Sequence, residues 1–365
     1  MWRRWLWLVP LYLAGTYGTV RLARATTARL LWLHHTPAAQ AAALAPAFPD
    51  AYQLYDHSLA IRAGTPLYRP WPDFRPDMPG PYPLGRVPYP PFITPALAPF
   101  MTWGFPAFAQ AWLVLLLLGA VVYALCLGYL TAGRMSLVYS AHWLMALLAL
   151  PPVRIALLGG NVEPLLWAAF GLALVLAPVR GPALAAIALV KLWAIWPLCA
   201  VASRRNGARG RVLLSAGGTA LAAAAASALV LGPTRFVQSC LDWITYTLPV
   251  VGQGFAWSYN VSLSYAVLRV IGALGGAYAG GALPTLARVW LATVGVTAPL
   301  LTAWYLRRRS EQLQLAGVAA AAVLFSPVCW LYYLPIVFAA VAVDVRERAA
   351  SGAALPGVAA AAVPS

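Results

Sequence analysis

The sequence predicts an all-α polytopic membrane protein, and three observations predict it. Of 365 residues, 62% are hydrophobic and only 9% are charged, against roughly 25% charged in a soluble domain; mean hydropathy is +0.74. Apolar stretches long enough to cross about 30 Å of hydrocarbon recur along the chain. Basic residues punctuate these stretches, and all but one of the 25 are arginine, so the net charge of +16 reads as membrane topology plus anion binding. A nucleic-acid binder would carry its charge on a soluble surface interleaved with aromatics.

The opening MWRRWLWLVPLYLAGTYGTV resembles a signal sequence, but Arg21 and Arg24 fit a cleavage region poorly, so residues 5–20 are expected to be an uncleaved first span. Further spans are expected at 107–131, 136–152, 162–178, 212–232 and 284–306. Two more apolar regions are interrupted: 182–203 around Lys191 and Pro197, and 313–343 at Ser326-Pro327. Proline removes a backbone donor and disfavours helix in the residue before it, so each region is predicted to be a pair of short helices entering and leaving on one side. The total is about 8 to 11 spanning or half-spanning helices.

With those hairpins, and with the Gly-rich, Arg269-containing stretch 263–282 not crossing, Arg3-Arg4, Arg134, Arg180, the SRRNGARGR run, Arg307 to Arg309 and Arg346/Arg348 share one face, which the excess of arginine in cytoplasmic loops identifies as cytoplasmic, with both termini. The opposite face collects the long segment 21–105, the Gly159-Gly160-Asn161 loop, the turn at Lys191, residues 233–283 and Ser326-Pro327. The expectation is one membrane domain over 1–345, with 21–105 as an extracytoplasmic loop bearing interfacial helices and an Ala-rich, disordered tail over 346–365. Four cysteines lie far apart without metal-site or disulfide spacing and read as packing residues.

Candidate chemistry concentrates at PDAYQLYDHSLAIRAGTPLY, residues 49–68, because the whole chain has only nine acidic residues. A helix over 51–63 would align Ala51, Leu54, Tyr55, Leu59 and Arg62 and leave Asp50 at or near its N-terminal cap. Asp50 is then either a helix cap or a general base with a burial-raised pKa, and Asp56 rivals it. The segment 66–95 holds eleven prolines interleaved with Tyr68, Trp71, Phe74, Tyr82 and Tyr89, surfaces suited to a lipid interface or a sugar ring. Its Arg69, Arg75 and Arg86 offer either a phosphate clamp or lipid-headgroup contacts. Lys191 is the only lysine; an ionised side chain at mid-membrane costs at least ~2.5–3.5 kcal/mol, which marks a functional site unless the side chain snorkels to the interface. Glu163 and Asp242 read as weaker candidates, near span ends. HExxH, GxxxxGK, GxSxG and DxD patterns are absent, so neither a metal nor a nucleotide cofactor is expected.

These residues, in this order, resemble glycosyltransferase family 87, the polyprenyl-phosphate-sugar dependent membrane transferases of the GT-C fold. The resemblance rests on Asp50, Tyr55, Gly64 and Tyr68; on Tyr89-Pro90-Pro91; on Gly160-Asn161; on Lys191; on Tyr259-Asn260-Val261-Ser262-Leu263; and on Ser326-Pro327-Val328-Cys329-Trp330. It implies inverting, metal-independent transfer of a hexose, commonly mannose, from a polyprenyl-phosphate donor to a hydroxyl of a glycolipid or glycan acceptor. The expected setting is the extracytoplasmic side of a bacterial plasma membrane. Asp50 would be the base, and Lys191 with Arg69 and Arg86 would neutralise the departing phosphate. Asp56, Tyr55, Tyr68, Tyr89, Asn161, Asn260, Trp330, Tyr332 and Tyr333 are pocket candidates. Two departures stand out: Trp330 is followed by Leu331-Tyr332-Tyr333 where the family often has two histidines, and Gly160-Asn161-Val162-Glu163 lacks the glutamine of the family's Gly-Gln-x-Asn loop. The alternative is a transporter or flippase for lipid-linked sugars, for which internal symmetry between halves is expected and not seen in the sequence.

Overall fold

The computed structural model describes residues 8–35, 48–68, 89–204, 207–247, 263, 266–267, 289–326 and 331–352. Among these residues the chain forms helices and turns, with no strand. Helix α1 (Leu8–His35) runs past the apolar stretch that suggested it. From Ala23 to His35 the sequence holds neither glycine nor proline to stop a helix, and Arg21 and Arg24 point outward. The helix therefore runs past residue 20, where the first span was expected to end.

Helix α2 (Pro49–Ala63) and a run of short turns over Pro91–Phe100 precede the central helix α3 (Phe105–Ala132). Helix α3 is 28 residues long and apolar enough to cross a membrane, and it packs against α2 and later helices. It buries Trp112, Leu116, Tyr123 and Leu127 and exposes Val114, Leu118 and Val121.

The stretch expected as one span over 136–152 is instead α4 (Leu137–Ala149) and α5 (Pro151–Gly159), bent by 78°. Pro151 and Pro152 explain the bend: Leu150 is forced to an extended backbone (φ −77, ψ 124). Helix α6 (Glu163–Val175) packs along α3.

Both interrupted regions are hairpins. Helix α7 (Arg180–Val190) stops at Lys191, whose backbone is extended, and a short turn leads into α8 (Ile195–Ser203). The break is at Lys191 alone; Pro197 lies in the first turn of α8, where its missing N–H has no helical partner to lose. Helix α9 (Ala208–Leu231) and α10 (Pro233–Asp242) follow, then α11 (Val296–Tyr305). Helix α12 (Glu311–Leu324) and α13 (Pro335–Ala350) pack on each other as the second hairpin.

A polar girdle ties the open ends of these hairpins together. Arg180 pairs with Glu311 at 2.7 Å, Arg204 donates to the Gln314 side-chain oxygen at 2.7 Å, and Arg346 donates to that of Gln312 at 2.6 Å. Gln312 also donates to the Leu174 carbonyl at the end of α6. The start of α6 therefore lies 13 residues, or about 20 Å, from the girdle.

Candidate active site

Four chain tips converge at the end opposite the girdle: the start of α2, the α5–α6 loop, the α7–α8 turn and the turn before α13. Helix α2 has Phe48 at its N-cap and no side-chain cap, so Asp50, in the first turn, is not serving as the cap. Its Oδ2 accepts a 3.0 Å hydrogen bond from Asn161 Nδ2. The Asn161 Oδ1 accepts from the backbone N–H of Glu163 at 3.0 Å, satisfying an orphan donor at the start of α6. One amide thus holds Asp50 and starts a helix.

The close approach of α2 to this loop depends on Gly160. Its φ is +77, and a Cβ there would lie 2.4 Å from the Ala51 Cβ. Trp112 of α3 donates to the Gly160 carbonyl at 2.8 Å. The far end of α2 closes at Gly64 in the left-handed conformation, with its N–H on Ile61. Arg235 of α10 supplies further donors there, to Ala60 at 2.8 Å, Ile61 at 3.2 Å and Thr65 at 2.5 Å.

Glu163, two residues after Asn161, has a side chain with 0% exposure and faces Lys191 Nζ at 3.6 Å. The ammonium donates to the Tyr333 hydroxyl at 3.1 Å and lies over the rings of Tyr89 and Tyr333, 4.8 and 5.3 Å from their centroids, where the negative ring faces favour a cation. Tyr68 fixes Tyr89 by donating to its carbonyl at 2.7 Å. Trp167 of α6 fixes the last turn by donating to the Tyr332 carbonyl at 3.1 Å.

Electrostatics distinguishes the two carboxylates of α2. Burial raises the pKa of Asp50, while the Asn161 hydrogen bond and the charge of Lys191 oppose that rise. Asp56 is half-buried on another face and acts on Tyr52. The expected single stripe on α2 is replaced by burial on several sides, including Gln53, His57 and Ser58, because α2 packs against α3, α5 and the turns over Pro91–Phe100. Tyr55 points to other ends: its hydroxyl donates to the Trp103 carbonyl and its ring packs on Phe105 and Phe108.

The structure therefore gathers Asp50, Asn161, Lys191, Tyr89 and Tyr333, with Tyr68 and Tyr332 supporting them, and leaves Asp56 and Tyr55 apart. Arg69, Arg86, Asn260 and Trp330 lie outside the described residues. Glu163, read from sequence as an inexpensive span-end carboxylate, is instead the fully buried partner of the lone lysine. The signal that could have found it is the requirement that a lysine in an apolar run be paired.

An apolar groove of about 550 Å³ opens beside this cluster, lined by Pro91, Phe92, Ala188, Leu192, Gly217 and Trp243 among others. Two of its walls are continuous in sequence with the cluster, Pro90 with Tyr89 and Leu192 with Lys191.

Residues 88–327, about two thirds of the chain, match the model of glycosyltransferase family 87. Tyr89, Asn161, Glu163 and Lys191 fall within the match, and Asp50 and Tyr333 fall outside it. Searches of curated proteins and of solved structures find no match.

Proposed function

The chain belongs to glycosyltransferase family 87, and from that premise we propose that it moves a hexose, mannose in the first instance, from a polyprenyl-phosphate donor to an acceptor hydroxyl on the extracytoplasmic face of a plasma membrane. Asp50 takes the proton of the acceptor hydroxyl as that oxygen attacks the anomeric carbon. The bond to the phosphate oxygen breaks on the opposite side, inverting the centre, and Lys191 meets the charge that develops on the leaving phosphate.

One observation carries this reading: a continuous chain of contacts, Asp50 to Asn161 to Glu163 to Lys191, sets a carboxylate base and a cation in one cluster. A base whose pKa burial has raised is better matched to accepting a hydroxyl proton than an ordinary carboxylate. The apolar groove supports a lipid-linked donor, since a prenyl chain lying along Pro91 and Leu192 would bring its phosphate to Tyr89 and Lys191. The arginine girdle supports the orientation, because it lies at the end of α6 remote from Asp50 and arginines accumulate on the cytoplasmic side.

The test is reconstitution in liposomes with labelled polyprenyl-phosphate mannose and, separately, a nucleotide-linked mannose, with a mixture of membrane glycolipids as acceptors. Transfer from the lipid donor alone, abolished in Asp50→Asn, is expected. Transfer from the nucleotide sugar refutes the donor assignment, and passage of the lipid-linked sugar across the bilayer without transfer replaces the reading with a flippase.

A further inference from the structure

We propose that Glu163 is the counter-ion that the donor phosphate displaces from Lys191 and that reclaims the lysine when the spent polyprenyl phosphate leaves. The inference rests on the lipid-phosphate donor reading above and assigns the site a device for releasing its product.

The geometry of the pair carries it. Glu163 is fully buried, and its nearest cation is Lys191 at 3.6 Å, longer than the roughly 2.7–2.9 Å of a well-made charged hydrogen bond. Neither carboxylate oxygen has a hydrogen-bond partner. Lys191 gives its one short bond to the Tyr333 hydroxyl at 3.1 Å, and its other side rests on the Tyr89 ring. The ammonium is thus held in place by tyrosines, while Glu163 supplies charge without a geometrically tight contact. A phosphate oxygen that makes a tight contact with Nζ outcompetes such a partner, because the tyrosines keep the ammonium where it is and only the anion exchanges.

The backbone of α6 keeps Glu163 from withdrawing when phosphate arrives. Glu163 is the first residue of that helix, its N–H is fixed by Asn161, and the same Asn161 holds Asp50. The carboxylate therefore stays behind when phosphate arrives and remains as an anion facing an anion. That repulsion weakens the hold of the site on polyprenyl phosphate, which otherwise would bind more tightly after transfer than before it, since the phosphate monoester left behind carries more charge than the diester donor. Among the described residues, the ionisable groups around Lys191 are Glu163, Asp50, Tyr89 and Tyr333; Glu163 is the carboxylate paired with it.

The experiment measures binding of undecaprenyl phosphate, and of undecaprenol as the uncharged control, to the purified full chain in nanodiscs. Glu163→Gln keeps the shape and removes the competing charge. It is expected to bind the phosphate about tenfold more tightly or better, with undecaprenol affinity unchanged. In turnover, the same variant should show a lower KM for the donor together with a lower kcat, and stronger inhibition by added undecaprenyl phosphate. A merely structural glutamate would give the opposite, with weaker binding all round. Glu163→Asp, which withdraws the carboxylate by one methylene, should shift affinity the same way by less and carries the test if Glu163→Gln does not fold. A folded Glu163→Gln or Glu163→Asp protein that binds undecaprenyl phosphate no more tightly than native overturns the inference while leaving the donor reading intact. A native protein that binds the phosphate no better than the alcohol overturns both.

Discussion

Gly160→Ala probes the joint on which the whole site is hung. An alanine Cβ at 160 would meet the Ala51 Cβ at 2.4 Å and the Ala51 backbone nitrogen at 2.9 Å, where ordinary contact begins at 3.4 Å. Helix α2 must therefore retreat by about 1 Å, the difference between contact and overlap. Asp50 is the neighbour of Ala51 and retreats with it, which stretches the 3.0 Å bond from Asn161 towards about 4 Å and breaks it. Losing a hydrogen bond to a charged group costs about 1.5–3 kcal/mol, and the positive φ of 160 adds about 1–2 kcal/mol for any residue with a Cβ. A displacement of about 1 Å at a catalytic base can cost about a hundredfold in rate. The assay is sugar transfer by purified Gly160→Ala protein alongside its thermal unfolding, with Ala51→Gly/Gly160→Ala as the companion. The double variant removes the Cβ–Cβ overlap but neither the 2.9 Å approach to the backbone nitrogen of residue 51 nor the φ penalty, so it should recover only part of the activity and part of the stability. Native activity and native melting temperature in the single variant would refute the close approach of α2 to the loop, and with it the assignment of Asp50 to this cluster.

Asp50→Asn should abolish transfer while leaving the melting temperature at neutral pH unchanged or higher. The raised pKa of Asp50 contributes stability that is full below the unfolded value of about 3.9 and is lost as pH rises through the folded value, so at neutral pH an amide removes a cost. For the same reason the acid limb of the activity profile should lie above the ordinary carboxylate range, and Asn161→Ala, which deletes a bond that lowers this pKa, should move that limb to higher pH. His57 is buried, and burial with the charge of Arg235 pushes its pKa down to about 3. Its neutral form contributes stability that is full above about 6.5 and is lost as pH falls towards the folded value, so His57→Gln should flatten the decline of melting temperature across that window. Arg235→Ala removes the three carbonyl contacts at the end of α2 and should destabilise the protein by about 1–3 kcal/mol, read as a lower unfolding midpoint.

How far the sequence disclosed this molecule depended on which physical signal each element carries. Composition and apolar runs located α3 and α9 to within a few residues, because a long uninterrupted apolar run carries the signal of a spanning helix by itself. The hairpins were legible because a lone lysine and a Ser-Pro step interrupt otherwise apolar runs, the first at the cost of a charge among apolar residues and the second by removing a backbone donor. Helix α2 was legible as a helix but not in the faces it buries, since its buried Gln53, His57 and Ser58 are polar residues whose packing partners are distant in sequence. The bend at Leu150 was written in two consecutive prolines, but their apolar surroundings made the stretch look like a single span. In the cluster, Asp50, Asn161 and Lys191 could be nominated from sequence, whereas the choice between Asp50 and Asp56 could not be made there on physical grounds alone. The Asn161 contact, made across 111 residues, supplies the geometric difference.

The placement of Glu163 bears on how Asp50 and Lys191 are kept in register. Asp50 sits on the short helix α2 and Lys191 in the turn between α7 and α8, elements far apart in sequence with no covalent reason to stay aligned. Asn161 and Glu163 are two residues apart, and the intervening geometry is fixed because the Asn161 side chain closes on the Glu163 N–H. Asn161 holds Asp50 and Glu163 faces Lys191, so the Asn-Val-Glu tripeptide acts as a gauge between them. Lengthening it is then more damaging than altering either end: inserting one glycine after Val162 would leave Asp50, Asn161, Glu163 and Lys191 all present but break the amide-to-N–H closure. Transfer should fall at least as far as in Asn161→Ala, and binding of undecaprenyl phosphate should persist because Lys191 keeps its Tyr333 and Tyr89 supports. Retention of transfer in the insertion variant would show that base and cation find their spacing without the loop.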